Sequence, residues 1–170
     1  PGSAKPVGVV PMLGSPAAVL FDAAGRLVTA EADGSVAIRS ASGPDRDRAH
    51  ALRTHERGRV AERFREPDAA ARVLALVQGA VAAGMSDGSV RFFLPQHPRA
   101  VAELYPLDAG AFVVASPDGH VEAVGERASD ALVCRLGDVF YPFEVCADQF
   151  TVRGLLPLAL SGRDPGEADP

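Results

Sequence analysis

Tryptophan is absent from this 170-residue chain, and aromatic residues make up only 6% of it. Side chains that build aromatic cages or stack nucleobases are therefore scarce, which argues against carbohydrate or single-stranded RNA as a partner. Cysteine is limited to Cys134 and Cys146, too few for a disulfide-stapled scaffold and without the four-ligand spacing of structural zinc. Reduced, buried thiols are the expectation, although the two flank a candidate hairpin across which a disulfide is geometrically conceivable. The single lysine, Lys5, argues against lysine-dependent chemistry. No apolar run approaches about 18 residues, and no charged head precedes an apolar stretch at the N-terminus, so neither a spanning helix nor a secretory signal is expected. Positive charge is not in excess either. The chain carries 17 Lys and Arg against 22 Asp and Glu, a net charge of −5, which disfavours nucleic acid or an acidic membrane surface. The expected location is the cytoplasm.

What the chain does contain is a 47% hydrophobic share, enough for one domain with a real core, and a repeat. Asp33-Gly34-Ser35-Val36, Asp87-Gly88-Ser89-Val90 and Asp118-Gly119-His120-Val121 share a pattern of Asp-Gly, spacer and Val. Asp-Gly between apolar runs signals a hairpin, here read as a type I′ turn with positive φ at both central residues. Aligning these turns brings Phe21–Ala30, Leu76–Met85 and Leu107–Ala115 into register, each with a Gly turn followed by a strand of small and β-branched residues. Downstream, Val36 and Ile38, Val90 and Phe92, and Val121 and Ala123 alternate as half-buried strands do. Val7–Val10, Val60–Phe64 and Val101–Leu104 are candidate fourth strands. Gly and Pro punctuation leaves room only for short helical pieces, near Ala69–Arg72 and Gly154–Leu160. Phe92 and Phe93 face opposite sides of one strand, so one enters a one-sided core and the other lies between units or at a contact surface.

These units resemble the blades of a β-propeller of the WD40-like kind, over residues 5–126. The Trp-Asp ending and Gly-His start are missing: Ala37-Ile38-Arg39-Ser40 and Arg91-Phe92-Phe93-Leu94 stand where Trp belongs. A degenerate fourth unit is expected from residues 131–136 and 139–145, joined by Gly137-Asp138, with Pro142 on an edge strand. The fold class is all-β, a propeller-like array of three to four small antiparallel sheets, with a two-sheet β-sandwich or barrel as the alternative. Residues 1–4 read as a cleavage scar, 5–160 as one repeat domain (units near 5–42, 58–94, 98–126 and 129–160), and 161–170 as a disordered acidic tail.

Between the first two units lies the most charged stretch, with seven Arg against six acids from Asp45 to Asp68. A solvated loop with weak local ion pairs accounts for it. The sharper reading is a docking surface in which Arg53, His55, Arg57 and Arg59 meet carboxylates of a protein partner. No nucleophile elbow, Walker motif or dinucleotide fingerprint is present, and His50 and His55 are wrongly spaced for a helical or strand metal pair. His120 replaces a turn serine, and the turn aspartates are explained by turn chemistry rather than by a metal. No catalytic residue, cofactor or metal is assigned. The expected function is a non-catalytic protein–protein interaction scaffold, with self-association through sheet edges as one form of it. The alternative is an enzyme or small-ligand binder using the central cavity of the ring.

Overall fold

A computed structural model describes residues 16–31, 35–39, 60–64, 69–95, 97 and 99–163. They form three antiparallel sheets and little helix. The first sheet has four strands in chain order, β1 (Ala18–Phe21), β2 (Leu27–Ala30), β3 (Val36–Arg39) and β4 (Val60–Phe64). The second is a six-stranded meander of β5 (Ala71–Val77), β6 (Ala80–Met85), β7 (Val90–Phe93), β8 (Ala102–Pro106), β9 (Phe112–Ala115) and β10 (Val121–Val124). A two-stranded sheet follows, β11 (Val133–Leu136) with β12 (Val139–Pro142). Two short helices close the described chain, α1 (Ala147–Phe150) and α2 (Leu155–Leu160).

All three Asp-Gly sequences join antiparallel neighbours in one register. Ala30 pairs with Val36, Gly84 with Val90, and Ala115 with Val121. In each, the same bond closes the loop: the N–H of Glu31, Met85 or Ser116 donates to the carbonyl of Ser35, Ser89 or His120 at 2.8, 2.8 and 2.9 Å. The turn type differs from the type I′ expectation. Gly88 and Gly119 lie at φ +88° and +89°, whereas Asp87 and Asp118 are not among the positive-φ residues. The N–H of Gly88 and of Gly119 bonds back to the carbonyls of Met85 and Ser116. That is a three-residue loop, a type I turn followed by a left-handed glycine, and it lets Pro117 take the favoured second position. A two-residue type I′ turn does occur, at Gln78-Gly79 (φ 50° and 87°), where β5 turns into β6.

Aspartate serves these turns as a local acceptor. Asp87 takes hydrogen bonds from the Ser89 hydroxyl (2.7 Å) and N–H (2.9 Å), and these, with Arg91 nearby, hold its carboxyl below its ordinary value against the opposing effect of burial. At the β1–β2 turn, burial alone would raise Asp22, but the Arg26 N–H and guanidinium and the Ala24 N–H outweigh it and lower that carboxyl too.

Sheet boundaries fall differently from the sequence units. β4 bonds to β3, so it completes the first sheet instead of opening the second unit. Residues 71–77 are a strand, not the helical piece expected near Ala69–Arg72, because β6 offers a full antiparallel ladder to pair with. β8 pairs with both β7 and β9, so the second and third copies share one continuous sheet. Val7–Val10 and the tail from 164 onward lie outside the described residues.

The core has two layers of contact around the second sheet. On one face, Val81, Ala83, Met85 and Phe93 pack with Val28, Ala30, Val36 and Ile38 of the first sheet. On the other, Ala80, Ala82, Phe92, Ala102 and Val114 pack against Leu155, Ala159 and Leu160 of α2. Both Phe92 and Phe93 are therefore buried, each on its own face. Glu122 of β10 ties α2 in place: its carboxylate accepts from the N–H groups of Gly154 (2.7 Å) and Leu155 (2.9 Å), and a negative charge at a helix start is favourable.

Phe93→Ala should cost about 3–5 kcal/mol in urea unfolding, while Phe21→Ala on the exposed face of β1 should stay within about 0.5 kcal/mol. Similar losses at the two positions would contradict this packing. Asp87 with a lowered folded pKa contributes stability above its unfolded value of 3.8, and that contribution fades as pH falls through the folded value. The stability advantage of wild type over Asp87→Asn should thus be steady at neutral pH and shrink below about pH 4. An advantage that grows on acidification would contradict it.

Candidate functional site

Arg53, His55, Arg57 and Arg59, the residues that the sequence offers as a docking surface, lie outside the described residues. Among the described residues, His97 is exposed and His120 half-buried. No group of three or more His, Cys, Asp or Glu gathers with metal-binding geometry among them. Two other features remain, a polar cluster on the second sheet and the C-terminal hairpin.

The polar cluster forms because β7 and β8 pair Arg91 directly with Glu103. The Arg91 side chain is 10% exposed and sits 3.5 Å from Asp87 Oδ2 and 3.6 Å from Glu103 Oε1. Glu103 also accepts from the Tyr105 hydroxyl, two residues along the same strand face. Burial, followed by the hydrogen bond to Glu103 and then that group's charge, pushes the Tyr105 hydroxyl up to about 12, so it stays protonated as a donor near neutral pH. With every acid matched to a donor, the cluster has the form of a cross-strand ion network that accommodates a buried arginine.

The hairpin is different in kind. β11 and β12 meet in the register Leu136 with Val139, Arg135 with Phe140, Cys134 with Tyr141, and Val133 with Pro142. Gly137 takes the turn at φ +64°. Only the Cys134 end is anchored in the body, where Cys134, Phe143 and Cys146 form a small cluster with Val121, Leu132 and Phe150. Cys134 and Cys146 are joined as a disulfide, which corrects the expectation of free thiols. After β12, a turn over Phe143–Val145 carries the chain back across the hairpin and returns Cys146 to within 6.3 Å, Cα to Cα, of Cys134. That separation suits a bridge.

Outside that anchor the hairpin is apolar and open. Val133 and Phe140 are 65% exposed, Val139 52%, Leu136 49% and Tyr141 38%, and Val145 in the turn that follows is exposed too. Arg135 crosses above the Phe140 ring with its guanidinium carbon 5.9 Å from the centroid. Its Nε donates to the Gly137 carbonyl at 2.9 Å, and it lies 3.4 Å from Asp138. Beside the hairpin is a cleft of about 200 Å³, walled by Val121, Leu132, Leu136, Phe143, Phe150 and the disulfide.

Reading 129–160 as a degenerate unit found the two strands and their Gly137-Asp138 turn, and it placed Pro142 on an edge. It missed the exposure. The available signal is the run Val139-Phe140-Tyr141-Pro142-Phe143, which is apolar at consecutive positions. Such a strand presents apolar side chains on both faces, and a two-stranded sheet cannot cover both.

No family model matches the chain, and no curated protein matches it. Among solved structures, that of the computationally designed Ika4 protein is similar over 71% of this chain and 72% of that one, at 13% identity and a TM-score of 0.41.

If the bridge is formed as described, the purified protein should show no reactive thiol under denaturing conditions until a reductant is added. Two titratable thiols without reductant would contradict it. The Cys134→Ala variant should leave the main β-sheet signal intact and speed amide exchange in 133–142, because the bridge constrains only this segment.

Proposed function

We propose that the chain is a non-catalytic protein–protein interaction module carried on a propeller-like β-repeat. Three features support the repeat: the shared register at the Asp-Gly hairpins, the same closing hydrogen bond in each, and the face-to-face packing of the first sheet on the second. A blade array places sheets face to face in this way, and so does the sandwich alternative.

The observation that carries the functional reading is the uncovered apolar hairpin. On it Val133 and Phe140 are exposed on one face and Leu136, Val139 and Tyr141 on the other, and apolar side chains exposed together, unlike single scattered ones, mark candidate interaction sites. The neighbouring cleft of about 200 Å³ is smaller than the roughly 300–1,000 Å³ of small-molecule pockets, which favours a protein over a small ligand. The disulfide favours an oxidising compartment over the cytoplasm expected from composition, since glutathione and thioredoxin keep cytosolic thiols reduced.

The test compares wild type with Phe140→Glu, both immobilised and exposed to protein from the source organism, with circular dichroism confirming equal folding. At least one protein should be retained by wild type and lost from the variant. Equal retention by both, together with a monomeric mass for wild type, would remove the hairpin as an interaction surface.

A further inference from the structure

The free edge of β12 has the chemistry to pair with itself. Pro142 has no N–H, and its register partner is Val133. In an antiparallel ladder, residues alternate between pairs that exchange hydrogen bonds and pairs whose backbone groups point outward. Proline fits the outward class, as does Phe140 two residues before it, so the N–H and C=O of Phe140 face away from β11. Among the described residues, no strand other than β11 pairs with β12. The edge thus presents an unpaired donor and acceptor flanked by Val139, Phe140 and Tyr141, all exposed.

We propose that a second copy of this chain occupies that edge, β12 running antiparallel to β12 of its partner about a twofold axis at Phe140, so that two hairpins make a four-stranded sheet. The proposal rests on the interaction-module reading and names its partner. Self-pairing about Phe140 sets Phe140 opposite Phe140 and Val139 opposite Tyr141, aromatic and β-branched cross-strand pairs of the favourable kind. A twofold interface uses the same patch on both copies, so the hairpin must be compatible with itself in charge. It is: its single base, Arg135, and single acid, Asp138, cancel and already lie together, although the chain as a whole carries −5. Pro142 limits the pairing to this short segment, which ends growth at two copies instead of a fibre.

Two other edges, β1 and β10, fit less well. β1 exposes only Val19 and Phe21, with Ala18 and Leu20 packed into the core on its other face. β10 is partly closed, because Val121 bridges to Thr151 and its carbonyl accepts from the Val152 N–H at 3.0 Å.

Light scattering across a concentration series tests the proposal. At about 100 μM the wild type should show about twice the 17.6 kDa chain mass, Phe140→Tyr should match it, and Phe140→Glu should be monomeric or have its dissociation constant raised at least tenfold, with unchanged circular dichroism. Like charges facing one another at the axis give that loss. A wild-type monomer at this concentration, or a dimer indifferent to Phe140→Glu, overturns the proposal. If wild type is monomeric yet retains another protein through the hairpin, self-pairing fails while the interaction-module reading stands. Should hairpin-dependent retention be missing as well, both fail.

Discussion

Adjacent residues of a strand point to opposite faces, and at Phe92 and Phe93 the chain places a large apolar ring on each. Such a strand is stable only where both faces of its sheet are covered. The four-stranded sheet covers the Phe93 face and helix α2 covers the Phe92 face, and the rest of the architecture is arranged to keep those two covers in place. β6 answers the same demand with small residues, Ala80, Ala82, Ala83 and Gly84, which let both covers approach closely. Glu122 then fastens α2 through two backbone amides.

The hairpin β11–β12 obeys the same rule and breaks it. Its residues are apolar on both faces, but only the Cys134 end is covered, by Phe143, Phe150 and Val121. A two-stranded sheet is marginal by itself, and the disulfide compensates by tying its base to the returning chain. The result is an apolar surface, tied down at its base, at the margin of an otherwise well-packed body. The polar cluster of Asp87, Arg91, Glu103 and Tyr105 shows the contrast: there Arg91 lies beside both carboxylates, and each carboxylate accepts from a hydroxyl.

Turn chemistry was the most legible part of the chain. Asp-Gly repeats located three hairpins and their strands, because glycine's tolerance of positive φ and aspartate's local hydrogen bonding act within a few residues. Even so, the loop was one residue longer than the dipeptide suggested, since Ser86 and Pro117 belong to it. The strands of the C-terminal hairpin were legible for the same local reason. Its openness was not, because exposure depends on what else packs nearby.

Local pattern alone therefore determined the all-β class, the repeated hairpins, the helical turn at Leu155–Leu160 and the edge position of Pro142. Tertiary structure decided which strands are neighbours: that β4 closes the first sheet, that β8 joins the second and third copies, that Cys134 meets Cys146, and that five apolar side chains of the hairpin stay uncovered. Turn preferences are set by φ and ψ of successive residues and can be read in order along the chain. Sheet partnership, disulfide pairing and burial are set by which surfaces remain to be covered once distant segments have come together.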